Sequence, residues 1–162
     1  MFQYYYNYIS SEKEEVEVTY NSDDYENNFH NLLLLARDKD RILNYTSVGV
    51  HKDDLSLKMK GHNVKKYASQ GQQKSFLLAL KLAQFEYILN QRKIKPILLL
   101  DDVFDKLDLK RINQLMLLVG SDRFGQVFVT DTQLGRVENI FKNTDIEHKI
   151  YTITDKGVGD EK

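Results

Sequence analysis

The sequence predicts an α/β fold with a mostly parallel sheet flanked by helices. A continuous apolar run, Ile97–Leu100, stands directly after Pro96 and is typical of a strand buried on both faces of a parallel sheet. A second β-rich run, Val127–Val129, follows along the chain, and a helical pattern separates the two runs. Strands that alternate with helices indicate this fold class.

The first elements are predicted from hydrophobic periodicity. Polar and apolar residues alternate from Glu15 to Tyr20, which predicts a strand, and apolar residues recur near helical spacing over Asp24–Leu43, which predicts a helix. Thr46–His51 and Leu55–Lys60 are predicted as short strands, with a turn at Gly61–Asn63.

The longest predicted helix runs over about Gln70–Asn90. Ser69 and Gln72 have the spacing of a capping box, in which a serine oxygen and a glutamine side chain satisfy backbone groups that the helix leaves unpaired. Asp108 is a suitable cap for a second helix that extends to about Val119.

The C-terminal residues predict a short helix at Leu134–Phe141 and an edge strand at Lys149–Thr154. No repeat or linker interrupts the chain, so residues 1–162 are predicted to form one partial domain. No apolar run is long enough for a transmembrane helix, and the absence of cysteine excludes disulfides, thiolate catalysis and cysteine-ligated zinc. These features fit a cytoplasmic protein.

The charge of the chain is uneven along its length. A formal net charge of −1 excludes a uniformly basic chain of the kind that coats nucleic acid. Residues 56–85 nevertheless contain six lysines and no acid. Both a solvated lysine face and a surface that meets phosphate fit this stretch.

Two motifs at the ends of predicted elements carry the candidate chemistry. Ser69–Gln72 opens the long helix, whose unpaired N–H groups and partial positive charge can hold phosphate oxygens, although a helix cap alone also explains the motif. Asp101 and Asp102 end the apolar run, at the edge where α/β folds bind ligands. One carboxylate can hold Mg²⁺ and the other can orient an attacking water, with an acidic loop before a helix as the alternative.

Two weaker motifs follow, a turn and cap at Asp105–Asp108 and a polar segment at Thr130–Thr132. In this order and spacing, the four motifs resemble the second half of an ATP-binding-cassette (ABC) ATPase. In that comparison Ser69–Gln72 looks like the signature motif, and Asp101–Asp102 looks like the Walker B aspartate and the catalytic acid after it. Asp105–Asp108 looks like the D-loop.

Longer stretches resemble the RecF family of recombinational repair proteins. These are Ala68–Lys74 with Leu78–Ala83, Pro96–Val103 and Gly49–Leu55. Val50 stands where the family more often has proline, and Lys52 where it more often has arginine. The resemblance implies the fold of the C-terminal lobe of an ABC-type P-loop ATPase head.

The resemblance also implies roles for the motif residues. In such ATPases two heads sandwich ATP, so the signature helix of one head meets the nucleotide held by the other. The implied roles are phosphate contact in trans for Ser69, Gln70, Gly71 and Gln72, metal binding for Asp101, catalysis for Asp102 and Asp131, and coupling of the heads for Asp108. ATP and Mg²⁺ are the implied cofactors. The implied partners are a second copy joined through ATP, gapped or junction DNA, and RecO- and RecR-type mediator proteins. The resemblance also implies a part in the SOS response and no association with a membrane.

The sequence lacks one part of such an ATPase. A Walker A loop needs a glycine directly before Lys-Ser or Lys-Thr, but Gln73 precedes the only such pair, Lys74-Ser75. The isolated chain is therefore expected to bind nucleotide weakly and to hydrolyse negligible ATP. Met1 is expected to lie inside a longer protein, with a split gene as the alternative.

Three other functions stay open. The first is a chromosome-maintenance head or another repair head of the same superfamily. The second is a metal-dependent phosphoesterase that uses Asp101, Asp102 and His51 and needs no ATP. The third is an interaction domain whose acids only cap helices. For His51 with Asp53 and Asp54, a structural or interface role is favoured over a metal site.

Overall fold

The computed structural model describes residues 1–11, 14–22, 25–142, 144, 146–155 and 157–161. Its helices there are α1 (Phe2–Ser10), α2 (Tyr25–Leu43), α3 (Val64–Tyr67), α4 (Gln70–Arg92), α5 (Leu109–Val119) and α6 (Leu134–Phe141). Its strands are β1 (Val16–Asn21), β2 (Asp54–Met59), β3 (His62–Asn63), β4 (Leu98–Leu100), β5 (Val127–Val129), β6 (Ile150–Thr154) and β7 (Gly157–Glu161). None of these helices is long and apolar enough to cross a membrane.

The contacts of the chain group into two compact units, whereas the sequence suggested one partial domain. The first unit comprises Met1–Lys13 and Ser69–Lys162, and the second comprises Glu14–Ala68. The second unit is thus inserted between two segments of the first. Periodicity along the chain gives no signal of this division, because it reports local elements and not which distant segments pack together.

The inserted unit contains an antiparallel sheet of β1, β2 and β3. The register sets Val16 opposite Met59, and both side chains are buried. The chain reverses after β2 at Lys60 and Gly61, whose φ angles are 50° and 77°. The predicted turn at Gly61–Asn63 therefore begins one residue earlier, and its last two residues pair with β2 as β3.

The predicted strand at Thr46–His51 is wrong. The segment forms bends and then a 3-10 helix at Val50–Lys52. Gly49 has a φ of 134°, which glycine adopts readily and other residues do not. The ring Nε2 of His51 also bonds the carbonyl of Thr46 at 2.9 Å. These local contacts turn the backbone back on itself, so it does not extend as a strand.

Helix α1, which the sequence analysis did not predict, packs against α4 and α5 in the first unit. Its Tyr5, Tyr6 and Ile9 are fully buried. The ring centroid of Phe2 lies 4.7 Å from that of Phe76 on α4. The core of this unit therefore forms from segments more than sixty residues apart in sequence, joined by aromatic packing.

Strands β4 and β5 pair in parallel, which confirms the predicted α/β class. The register sets Leu99 opposite Phe128 and Leu100 opposite Val129. Leu100 is 3% exposed, but Leu99 and Phe128 on the other face are 68% and 50% exposed. The expectation of burial on both faces is therefore wrong for this chain. The other strand pairs in the described residues are antiparallel.

Candidate functional site

The first turn of α4 forms the predicted capping box. Ser69 Oγ accepts a hydrogen bond from the Gln72 N–H at 3.3 Å, and Gln72 Oε1 accepts one from the Ser69 N–H at 2.8 Å. The two bonds satisfy backbone donors that a helix start leaves unpaired. They fix both side chains at the start of the helix.

This helix start also presents hydrogen-bond donors to solvent. Within the described residues, nothing accepts from the N–H groups of Gln70 and Gly71. The Ser69 hydroxyl is an acceptor in the cap, so its own hydrogen stays available to another partner. Ser69 and Gln70 are exposed, and the first turn contains no acid. These donors and the helix dipole together suit an anionic oxygen.

The acid pair lies at the carboxyl end of β4, beside the end of β5. Thr130, directly after β5, donates its hydroxyl hydrogen to Asp101 Oδ1 at 2.5 Å. The same hydroxyl oxygen accepts the N–H of Asp102 at 3.0 Å. Because the parallel register sets Leu100 opposite Val129, the next residues of the two strands meet at this edge. One hydroxyl therefore orients both members of the acid pair.

The backbone of Asp102 is held on two sides while its carboxylate stays open. Its φ of 45° lies in the left-handed region, which aspartate tolerates better than most residues. Lys74 Nζ on α4 donates to the Asp102 carbonyl at 3.1 Å. Among the described residues, no hydrogen bond or ion pair reaches the Asp102 carboxylate, and Asp101 and Asp102 are both exposed. The acids can therefore face a ligand.

Asp108 caps α5 as predicted. Its Oδ1 accepts the Arg111 N–H at 2.9 Å, and its Oδ2 pairs with Arg111 Nε at 3.2 Å. The Asp108 side chain remains 63% exposed, so capping leaves it accessible to another molecule. The expected coupling of two heads through Asp108 stays a prediction.

Asp131 lies in a different environment from the other acids. Its side chain is 1% exposed, with Oδ1 accepting the Gln133 N–H at 2.7 Å and Oδ2 forming an ion pair with Arg136 Nη1 at 3.3 Å. The carboxylate thus orders the start of α6. The catalytic role expected of Asp131 stays a prediction, and these contacts favour a structural role instead.

No protein-family model matches the chain, but individual relatives do. The chain is 47% identical over 153 residues to the DNA replication and repair protein RecF of Flavobacterium johnsoniae, covering 94% of the chain and 43% of that relative. It is 41% identical over 162 residues to the protein of the same name from Phocaeicola vulgatus, covering 99% of the chain and 44% of that relative. The chain belongs to the RecF family.

A solved structure supports the same assignment. The chain matches a structure described as the recombination mediator protein RecF-ATPrS in the RecFOR pathway, with a TM-score of 0.69 and 25% identity. The match covers 98% of the chain and 42% of that structure. The chain therefore spans less than half the length of these RecF proteins and corresponds to a C-terminal part with an ABC-type fold.

The acid pair of this RecF-family chain suits Mg²⁺ held together with a nucleotide. Asp101 offers carboxylate oxygens, which are hard ligands of the kind that Mg²⁺ prefers. Among the described residues, no group of three or more His, Cys, Asp or Glu side chains could hold a metal ion. Mg²⁺ commonly keeps several waters and binds through one or two carboxylates plus phosphate oxygens. The acid pair therefore fits a Mg²⁺ ion that is also bound by waters and phosphate oxygens, and not an ion whose ligands all come from the protein.

The polar side chains of His51, Asp53 and Asp54, in and directly after the 3-10 helix, each make separate local contacts. His51 bonds Thr46, Asp53 accepts from the Tyr20 hydroxyl, and Asp54 Oδ1 accepts the N–H of the next residue at 2.8 Å. These contacts account for the three side chains without a metal ion. They agree with the structural role that the sequence analysis favoured.

Three residues hold the site together in a way that was not predicted from the sequence: Thr130, Lys74 and Arg111. Thr130 had a signal, since a polar residue directly after the second strand of a parallel pair lies beside the end of the first. Lys74 and Arg111 had none for their contacts with other elements, because those partners are backbone carbonyls and a serine far away in the chain. Such pairings depend on how helices pack and not on local sequence.

Proposed function

We propose that this chain supplies the signature helix and the acid pair of a RecF-type ATPase that acts on DNA during recombinational repair. The observation that carries the proposal is the exposed arrangement of Asp101, Thr130 and Asp102, within one compact unit that also presents the open first turn of α4. Relatives named as DNA replication and repair proteins and a structural match described with RecF-ATP support it.

The acid pair acts on the nucleotide of its own head. Asp101 holds the metal ion, and the hydrogen bond from Thr130 keeps its carboxylate in position. Mg²⁺, when bound, neutralises charge on the phosphate oxygens. Asp102, whose carboxylate is open, polarises the water that attacks the γ-phosphate, and this gives ADP and inorganic phosphate.

The first turn of α4 acts on the nucleotide of a partner head. The Ser69 hydroxyl and the Gly71 N–H donate to γ-phosphate oxygens, and Gln70 and Gln72 border them. A helix N-terminus without nearby acids favours this contact electrostatically. ATP therefore joins two copies of the protein, and each copy contributes a different motif to each site.

The rest of the protein provides the phosphate cradle and covers the open face of the parallel sheet. The face is formed by Ile97, Leu99 and Phe128, which are 61%, 68% and 50% exposed. Parallel sheets in α/β folds are covered on both faces. The relatives are more than twice as long as the chain, so they contain enough sequence to cover this face.

The same proposal extends to the partners of the whole protein. We assign it gapped or junction DNA as substrate, RecO- and RecR-type mediators as partners, and the cytoplasm as its place of action. The support is the family membership and the description of one structural relative as part of a RecFOR pathway.

The deciding experiment uses the full-length protein with Asp102→Asn. Hydrolysis should fall by roughly 10²-fold or more, since general-base catalysis contributes about that much. ATP-driven dimerisation, followed by light scattering, should persist because the amide keeps the shape of the side chain. The matched control is Asp122→Asn, an exposed acid outside the four motifs, which should hydrolyse ATP like the unmodified protein.

Two results would contradict the proposal. One is hydrolysis by Asp102→Asn at the rate of the unmodified protein. The other is Mg²⁺-dependent turnover by the isolated chain that Asp102→Ala abolishes, because that would place a complete site within these 162 residues. Nuclease activity without ATP would instead favour a metal-dependent phosphoesterase.

A further inference from the structure

Arg111 on α5 is a buried arginine that joins two helices. Its side chain is 10% exposed, which is unusual for arginine unless it is paired. Its Nη1 donates to Ser75 Oγ at 2.8 Å and to the Gly71 carbonyl at 3.4 Å, both on α4. Its Nε pairs with Asp108 Oδ2 at 3.2 Å. One guanidinium thus contacts Gly71 and Ser75 near the start of α4 and also Asp108, the residue that caps α5.

Two further contacts fix the same junction. Ser75 is fully buried, and its hydroxyl donates to the Gly71 carbonyl at 2.9 Å while it accepts from Arg111. A Cβ at Gly71 would lie 3.2 Å from the Lys106 carbonyl oxygen, which is a tight contact. The backbone of the first turn of α4 therefore lies directly against the loop that precedes α5.

The burial of Arg111 is not explained by stability alone. A buried charge is costly to desolvate, and apolar residues of similar volume often replace buried ion pairs without loss of stability. The Asp108 side chain is 63% exposed, so water screens the ion pair and reduces its worth. An apolar side chain could not reproduce the rigid set of guanidinium N–H donors, and these donors set the distance between α4 and the start of α5.

We propose that Arg111 is a positioning residue for ATP hydrolysis across two heads. It holds the first turn of α4 at a fixed distance from the loop that carries Asp108, so that a partner head meets both at once. Arg111 touches neither nucleotide nor water and acts through Gly71, Ser75 and Asp108. The inference rests on the proposed function and adds to it the residue that aligns the two motifs.

The test compares Arg111→Met and Arg111→Lys in the full-length protein. Methionine fills the space without donors, and lysine keeps the charge without the fork. For Arg111→Met, kcat should fall by roughly 10²-fold, the effect expected of a misplacement of about 1 Å. ATP binding to the monomeric protein, measured by titration under conditions that prevent dimerisation, should change by less than about twofold, because the phosphate cradle lies elsewhere. Arg111→Lys should restore part of kcat.

The matched control is Arg123→Lys. Arg123 is partly exposed, pairs with Glu86 and lies over the ring of Tyr5, away from both motifs. Its variant should hydrolyse ATP like the unmodified protein. If Arg111→Met does not fold, Ser75→Ala tests the same junction, because it removes only one buried hydroxyl. It should lower kcat by roughly tenfold at unchanged ATP binding, in line with the loss of the two hydrogen bonds that the Ser75 hydroxyl makes.

Three outcomes would overturn the inference. The first is kcat within about twofold of the unmodified protein in a folded Arg111→Met or Ser75→Ala variant. The second is a loss of ATP binding by the monomeric Arg111→Met variant, since Arg111 would then be needed to form the phosphate cradle itself. The third is an equal loss of kcat in Arg123→Lys. If both Asp102→Asn and the Arg111 variants are fully active, the proposed function itself fails. If the Arg111 variants are fully active but Asp102→Asn is impaired, only the inference about Arg111 fails.

Discussion

Thr130 and Asp101 are joined by a 2.5 Å hydrogen bond between the ends of two parallel strands. The threonine hydroxyl makes two hydrogen bonds in this arrangement, because it donates to Asp101 and accepts from the N–H of Asp102. A single side chain therefore sets the direction of one carboxylate and the backbone of the next. Valine has the same shape as threonine and can form neither bond.

Replacing Thr130 with valine should impair hydrolysis more than stability. The two lost bonds lie at an exposed edge, so the free energy of unfolding should fall by only about 0.5–1.5 kcal/mol. Hydrolysis by the full-length protein should fall by roughly tenfold or more, because a misdirected carboxylate loses the geometry of the reacting groups. Thr132→Val, an exposed threonine in the same loop, is the control and should match the unmodified protein. Equal activity of the two variants would rule out the orienting role of Thr130.

Ser69 allows capping to be separated from phosphate contact. Ser69→Asp keeps a side-chain acceptor for the Gln72 N–H, so the free energy of unfolding should stay within about 0.5 kcal/mol. The added negative charge should abolish ATP-driven dimerisation, since it repels the γ-phosphate of the partner head. Ser69→Asn caps the helix without the charge and is the matched control. If Ser69→Asp dimerises with ATP as well as Ser69→Asn does, the first turn of α4 does not meet phosphate.

The open face of the parallel sheet should matter only in the longer protein. Leu99→Gln in the isolated chain should change the free energy of unfolding by less than about 0.5 kcal/mol, since Leu99 is 68% exposed there. The same change in the full-length protein should cost about 1–3 kcal/mol, because it would bury an amide without a partner. Ile153→Gln, 80% exposed on β6, should be neutral in both forms if only the sheet face is covered. Neutral Leu99→Gln in the full-length protein would show that this face stays open.

Tyr5 should make the protein sensitive to alkaline pH. Burial raises the pKa of the Tyr5 phenol above its usual 10.0, although the Arg123 guanidinium opposes the shift. Below pH 10 the phenol is protonated in both the folded and the unfolded state. Above pH 10 the unfolded state loses the proton first, so the folded state binds more protons than the unfolded state. The free energy of unfolding therefore falls as the pH rises. Urea unfolding of Tyr5→Phe should therefore show a weaker fall above about pH 10 than the unmodified protein.

The same variant tests a buried hydroxyl. No partner for the Tyr5 hydroxyl lies among the described residues, and an unsatisfied buried donor costs about 1–3 kcal/mol. Tyr5→Phe should thus be at least as stable as the unmodified protein at neutral pH. Tyr87→Phe removes a phenol that is 59% exposed and should leave both the stability and its pH dependence unchanged. A marked loss of stability in Tyr5→Phe would mean that the hydroxyl has a partner.

Local sequence determined the elements and the motifs they carry. The capping box at Ser69, the cap at Asp108 and the acid pair after β4 depend on residues within three or four positions of one another, so their spacing is visible in the chain. Hydrophobic periodicity likewise predicted α2, α4 and α5 to within a few residues. It failed at Thr46–His51, where a glycine with positive φ and a histidine contact with backbone overrode β propensity.

Tertiary structure alone decided which of these parts meet and which stay open. The hydrogen bonds from Thr130 to the acid pair and from Arg111 to α4 join residues 28 to 40 positions apart. Strand order could place Thr130 near the acids, but no pattern along the chain encodes the bonds themselves. The same holds for the uncovered face at Leu99, since an apolar run predicts burial but not which polypeptide provides it. Contacts between distant segments depend on how whole surfaces fit together, and this is why local sequence could specify the residues of the site but not its geometry.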